Sequence, residues 1–225
     1  EKPVFKATLD KEFDLGSKID VPKLNEALIR NLELLGKVWG LLKYNHSEVC
    51  KGNYNWDFEL FRMLPNYLKT TGTAERDQVL LEWISKYGEI KTCTACKAVS
   101  PDAFVKPDLS WLNANDLNPK LKNKLEFIYQ NRCQGKHFYI AKGGAGNPVF
   151  SNENKYYSMS TDDDGFQLLA LYRYWNMIHY FFPSKYLTDT DWNGVLKKYE
   201  VKPRKGWTAI NLFFNTAIDA NNVAS

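Results

Sequence analysis

The stretch LGKVWGLLKYNHSEVCKGNYNWDFELFRML, residues 35–64, returns in degraded form as LYRYWNMIHYFFPSKYLTDTDWNGVLKKYE, residues 171–200. The two align without a gap. A constant offset of 136 pairs Leu35 with Leu171, Trp39 with Trp175, Tyr44 with Tyr180, Trp56 with Trp192 and Leu60 with Leu196. Self-similarity at a fixed offset is the mark of one supersecondary unit used twice. The alternative is two amphipathic helix pairs that look alike because both need large apolar residues at helical spacing. Either way these stretches belong to the core, which makes the four tryptophans packing residues before they are a ligand platform.

Helical spacing carries most of the fold prediction. Leu28, Leu32, Leu35, Trp39 and Leu42 recur at steps of three and four, so a long helix is expected from a start signal at Pro22 to about Tyr44. Shifted by 136, the stripe falls on Leu168, Leu171, Trp175 and Ile178, which predicts the same buried face in the second copy. Asn55 and Asp191 occupy matching positions as N-caps of a second helix in each unit. Thr73 is expected to cap a further helix, and Asn118 with Pro119 to open another. The glycine-rich KGGAGNP separates residues 137–141 from 156–159, two β-favouring segments that predict a small ribbon. Residues 4–8 read as a short strand in an extended surface arm, and residues 209–220 as a short helix. The expected fold class is mainly α: a helical bundle of two helix-loop-helix units, about 24–70 and 165–200, with a small β ribbon. An irregular cysteine-bearing excursion spans 90–117, and a divergent tail spans 201–225.

Composition narrows the function classes. The 30 basic and 26 acidic residues are mixed without a Lys/Arg run, a solvated surface and no nucleic-acid footprint. No apolar run approaches the ~20 residues of a membrane span. The chain starts at Glu1 and has its first Met at position 63, as expected of a processed or trimmed protein. Its aromatic share is 15%, enough to supply either a large core or a peptide- or glycan-binding surface.

Candidate chemistry is sparse. Cys93 and Cys96 form C-x-x-C, and Cys133 and His137 form C-x-x-x-H, which together supply four soft ligands in an order that suits tetrahedral zinc. The simpler reading is a loop cysteine pair, free or bridged, and a packed histidine. A thioredoxin-type role would need a strand before and a helix after the C-x-x-C, and its flanks offer neither. The G-x-S-x-G, H-E-x-x-H and S-x-x-K patterns do not occur. His46 and His179 fall near but not at matching positions of the two copies, so a polar edge of an aromatic cluster is expected for each. Asp162, Asp163 and Asp164 read as helix-dipole partners, since Arg173 stands where an EF-hand loop requires Glu. Gly143, Gly144 and Gly146 are loop glycines, because no helix follows them before Pro148.

Several blocks occur in a telling order: LGKVWGLLKYNHSEV, NYNWDFELFRMLP, NRCQGKHFYI, GNPVFSNENKYY and GFQLLALYRYWNMIHYFFPSKYLTDTDW. Together they resemble the N-terminal region of the C-terminal-processing (tail-specific) serine peptidase family, in a secreted branch with a long helical leader module. The resemblance covers roughly residues 1–200. It implies an extracytoplasmic location, and a serine with a lysine base carried on a separate domain that follows this module, often with a PDZ domain. None of those catalytic positions has a counterpart here, so no catalytic or cofactor-binding residue carries over. Ser47 stands where the pattern calls for a proline, such as Pro183 in the second copy, and the tail after Glu200 departs from the family. The expected function is therefore a non-catalytic module with a structural or interaction role, its partner a protein or peptide, with a downstream peptidase domain among the choices. The alternative is a stand-alone extracytoplasmic peptide- or glycan-binding module.

Overall fold

The computed structural model describes residues 4–96, 98–100, 106–144, 147–160, 162–185 and 192–200. They form eight α-helices: α1 (Lys6–Leu9), α2 (Glu26–Asn45), α3 (Ser47–Cys50), α4 (Trp56–Tyr67), α5 (Thr73–Ser85), α6 (Pro119–Gln130), α7 (Asp164–Phe181) and α8 (Trp192–Glu200). A 3-10 turn (Ser110–Asn113) lies before α6, and strands β1 (Ile140–Lys142) and β2 (Pro148–Phe150) form an antiparallel pair. The fold is mainly helical with a small ribbon, as the spacing predicts. Among the described residues no helix is long and apolar enough to cross a membrane.

The central element is α2. Asn25 caps it, its side chain accepting from the Leu28 amide at 2.8 Å. Pro22 therefore precedes the helix instead of opening it, because the cap is three residues further on. Every residue from 35 to 45 is buried, and α3, α6, α7 and α8 all pack against this helix. A helix whose second half has no solvent face has to lie at the centre of its bundle there.

The two copies share one hydrogen-bonding pattern at their tryptophans. In the first, the Trp39 indole donates to the Trp56 carbonyl at 3.0 Å and the Trp56 indole donates back to the Trp39 carbonyl at 2.9 Å. In the second, Trp175 donates to the Trp192 carbonyl at 2.8 Å and Trp192 returns the bond at 3.2 Å. This reciprocal clasp ties each long helix to the start of its partner and satisfies two buried N–H groups that would otherwise be costly.

Equivalent residues also meet where α2 and α7 cross. A Cβ on Gly36 would stand 2.7 Å from the Tyr172 ring, a Cβ on Gly40 would overlap the Asn176 side chain, and the Tyr44 and Tyr180 rings lie 5.2 Å apart. Each pair differs by the same 136 positions, and the pairs advance together by four residues. The helices thus run in the same direction, related by a pseudo-two-fold axis between them. Tyr172 donates to the Leu32 carbonyl at 2.8 Å, and Asn176 donates to the Gly36 carbonyl at 3.0 Å, so polar atoms at this crossing are used in joining the helices.

The second stripe is less buried than expected. Trp175 is buried, whereas Leu168, Leu171 and Ile178 are half-buried, and the inward face of α7 is instead Leu169, Tyr172, Trp175, Asn176, His179 and Tyr180. Equivalent helices occupy unequal places: α2 is enclosed from Leu35 to Asn45, while α7 keeps a more open side among the described residues.

Local departures have local causes. Residues 6–9 form a helical turn where a strand is expected, held by Ala7 donating to the Gly52 carbonyl at 3.0 Å. The arm also enters the core instead of crossing the surface. Phe13 packs edge-on against Phe58 and Phe61, and Ser17, fully buried, holds Asp163 through both its amide and its hydroxyl. Asp163 caps α7 by accepting from the Phe166 amide, and Asp164 accepts from the Val21 amide, so these two acids anchor the arm as well as the helix end. Asn55 caps α4 and Asn118 caps α6, as expected; α5 is capped by Gly72, with Thr73 its first residue. The ribbon pairs Ile140 with Phe150 and Lys142 with Pro148, closer to the glycine loop than expected. Tyr156 has φ of +48° in a turn, which rules out the second expected strand. Asp191 and the expected helix at 209–220, like the rest of the tail, lie outside the described residues.

Candidate functional site

Two polar constellations stand out, and the first is built around Lys43. This side chain is completely buried between two aromatic rings, its ammonium 4.7 Å from the ring centres of both Trp39 and Tyr139. It pairs with Glu153 at 2.6 Å and with Asp57 at 3.8 Å. Arg173 of α7 pairs with Asp57 and, at 3.0 Å, with Glu153, while the Tyr156 hydroxyl donates to Asp57 at 2.8 Å. Two cations thus face two anions. Burial works to raise the Asp57 carboxyl, but Arg173, Lys43 and the hydrogen bonds from Arg173 and Tyr156 outweigh it and hold the group below its usual range. The cluster joins α2, α4, α7 and the segment after β2. Each side chain in it is engaged by another, so its first effect is to lock these elements together.

Lys43 and His179 are equivalents under the offset of 136, which is why His46 falls near but not at the position matching His179. Each lies over the tryptophan one turn before it: Lys43 over Trp39, and His179 stacked on Trp175 at 4.4 Å. The position is therefore a lid on the tryptophan, cationic in one copy and an imidazole in the other. Burial lowers His179 from 6.5 to about 3, with Lys185 adding to the effect, and burial lowers His46 to about 4. Both stay neutral at physiological pH. His46 accepts from the Glu48 amide at 3.3 Å, a cap on α3.

The second constellation holds the cysteines. Cys93 and Cys96 are joined in a disulfide, which is one of the two forms expected for a loop pair. Cys133 is not arranged with them as a co-ligand; its thiol faces that of Cys50, a residue that spacing does not single out. His137 accepts from the Tyr139 amide at 3.0 Å and lies near the Tyr44 ring, and burial lowers it to about 4. Cys93, Cys96, Cys133 and His137 thus have separate partners, and among the described residues no group of His, Cys, Asp or Glu is arranged to hold a metal. The backbone explains how Cys50 meets Cys133. The Cys133 amide donates to the Asn45 carbonyl at 2.9 Å and the Phe138 amide to the Cys50 carbonyl at 2.7 Å, so the segment after α6 is laid along α3. A separate hollow of about 330 Å³, lined in part by Leu109, Leu112, Glu126 and Tyr129, lies between the 3-10 turn and α6, and none of the four proposed ligands lines it.

Comparison with protein families, curated proteins and solved structures yields no match to this chain.

Proposed function

We propose that the chain is a non-catalytic helical module with a structural or interaction role, in the manner of the N-terminal part of a secreted C-terminal-processing serine peptidase. The observation that carries this reading is the doubled tryptophan clasp. Trp39, Trp56 and Trp175 are fully buried and Trp192 is partly so, and all four indoles bond to backbone. The motifs behind the resemblance are thus used in building a rigid body, which suits a module that positions a partner. They do not form the exposed aromatic row that a stand-alone peptide- or glycan-binding module would use. The Cys93–Cys96 disulfide supports an extracytoplasmic setting, since such bonds persist chiefly in oxidising compartments. The partner class is a protein or peptide, a peptidase domain among the choices.

The test is direct. Purified chain is incubated with unfolded protein substrates, with and without a serine-reactive phosphonate. No cleavage above background is expected; robust cleavage abolished by the reagent would overturn the proposal.

A further inference from the structure

The four cysteines form two pairs that share one strip of backbone. The Cys93 amide donates to the Asn131 side chain at 2.8 Å, and the Cys96 sulfur lies 3.4 Å from the Arg132 carbonyl oxygen. The next residue is Cys133, whose segment is laid along α3 by the Cys133 amide on the Asn45 carbonyl and the Phe138 amide on the Cys50 carbonyl, so that its thiol faces that of Cys50. Standard bond lengths then place the Cys96 sulfur within about 7 Å of the Cys133 Cα. One pair is oxidised and the other reduced, and they meet along residues 131–133.

The geometry points to an internal thiol–disulfide exchange that passes the Cys93–Cys96 bridge to Cys50 and Cys133. Cys133, having given up its proton, attacks the Cys96 sulfur; a Cys133–Cys96 bond forms, the Cys93–Cys96 bond breaks, and Cys93 leaves as a thiolate that takes up a proton. Cys50 then loses its proton and attacks the Cys133 sulfur, forming Cys50–Cys133 and releasing Cys96, which is protonated in turn. One disulfide is lost and one is gained, so the exchange needs no external oxidant.

The two states differ mechanically. The first bridge spans three positions within a loop, whereas the second ties the end of α3 to the segment after α6, distant in sequence. Cross-links that close longer loops restrict the unfolded chain more. Cys50 is buried, while Cys93 and Cys96 are half-buried among exposed neighbours. The relay therefore gives a dithiol or disulfide in solution a route to a cysteine that it could not touch.

Protein carrying the Cys93–Cys96 bridge is incubated without oxygen at about pH 8, where thiols begin to ionise, then acid-quenched, alkylated and mapped by mass spectrometry. A Cys50–Cys133 cross-link is expected, matched one for one by newly alkylated Cys93 and Cys96. In Cys96→Ser the cross-link should fall by about tenfold or more, and in Cys50→Ala the Cys96–Cys133 mixed disulfide should accumulate. Cys93→Ser gives the same reading if Cys96→Ser does not fold. Failure to form the cross-link in wild-type protein whose tryptophan fluorescence remains native overturns the inference. So does an undiminished cross-link in a folded serine variant.

Discussion

At Gly40 the chain meets a constraint that no other residue type satisfies, because the Asn176 side chain fills the space that a Cβ would need. Asn176 is itself fully buried and donates to the Gly36 and Tyr172 carbonyls, so it has little freedom to move aside. Gly40→Ala should therefore lower stability by about 1–3 kcal/mol, as overpacking does. Gly144→Ala, in open space, should stay within about 0.5 kcal/mol. Urea unfolding of both variants, with Gly40→Ala/Asn176→Ala as the rescue, checks this; equal costs for the two single glycine changes would refute the steric account. The requirement at Gly40 is invisible in sequence, since its partner lies 136 positions away. Lys43 was more legible than it looked: it falls one turn after Trp39, on the apolar stripe, where a surface lysine has no place. Cys50 carried no such signal, because its only distinguishing feature is a contact made across the fold.

Among the elements, α4 and α7 are joined by the Asp57–Arg173 pair within the buried cluster. Removing one partner of a buried ion pair leaves the other charge uncompensated, so Arg173→Leu should cost about 3–5 kcal/mol. Equilibrium urea denaturation measures it, and a cost below about 1 kcal/mol would show the pair to be screened like a surface bridge. The helices themselves were largely readable. Apolar residues at steps of three and four marked α2 and α7, and Asn55 and Asn118 marked the starts of α4 and α6, because both signals are local. The arm is illegible for the opposite reason. Residues 4–21 have no period of their own, and what fixes them is Gly52, Phe58, Phe61, Asp163 and Asp164, all remote in sequence.

For the molecule as a whole, three neutral histidines contribute to the response to acid. His46, His137 and His179 titrate near 6.5 when unfolded, but burial lowers them to about 4, about 4 and about 3 in the fold. Between those values the unfolded chain binds protons that the folded chain does not, so stability is full above pH 6.5 and is lost as pH falls through that window. The loss should approach 1.4 kcal/mol per histidine for each pH unit below about 6.5. Urea midpoints from pH 7.5 down to 4.5 should decline, and His46→Gln and His179→Gln should each flatten the curve; an unchanged slope in both variants would place the acid response elsewhere. The parallel crossing of α2 and α7 has a further consequence for how such a body can be assembled. Two identical separate units related by a true dyad would set the same residue on both sides of the axis, tyrosine against tyrosine or glycine against glycine. Covalent fusion removes that obligation. Within one chain each half can supply what the other lacks, a ring where its counterpart leaves a hollow, so symmetry survives in the backbone while complementarity is written in the side chains.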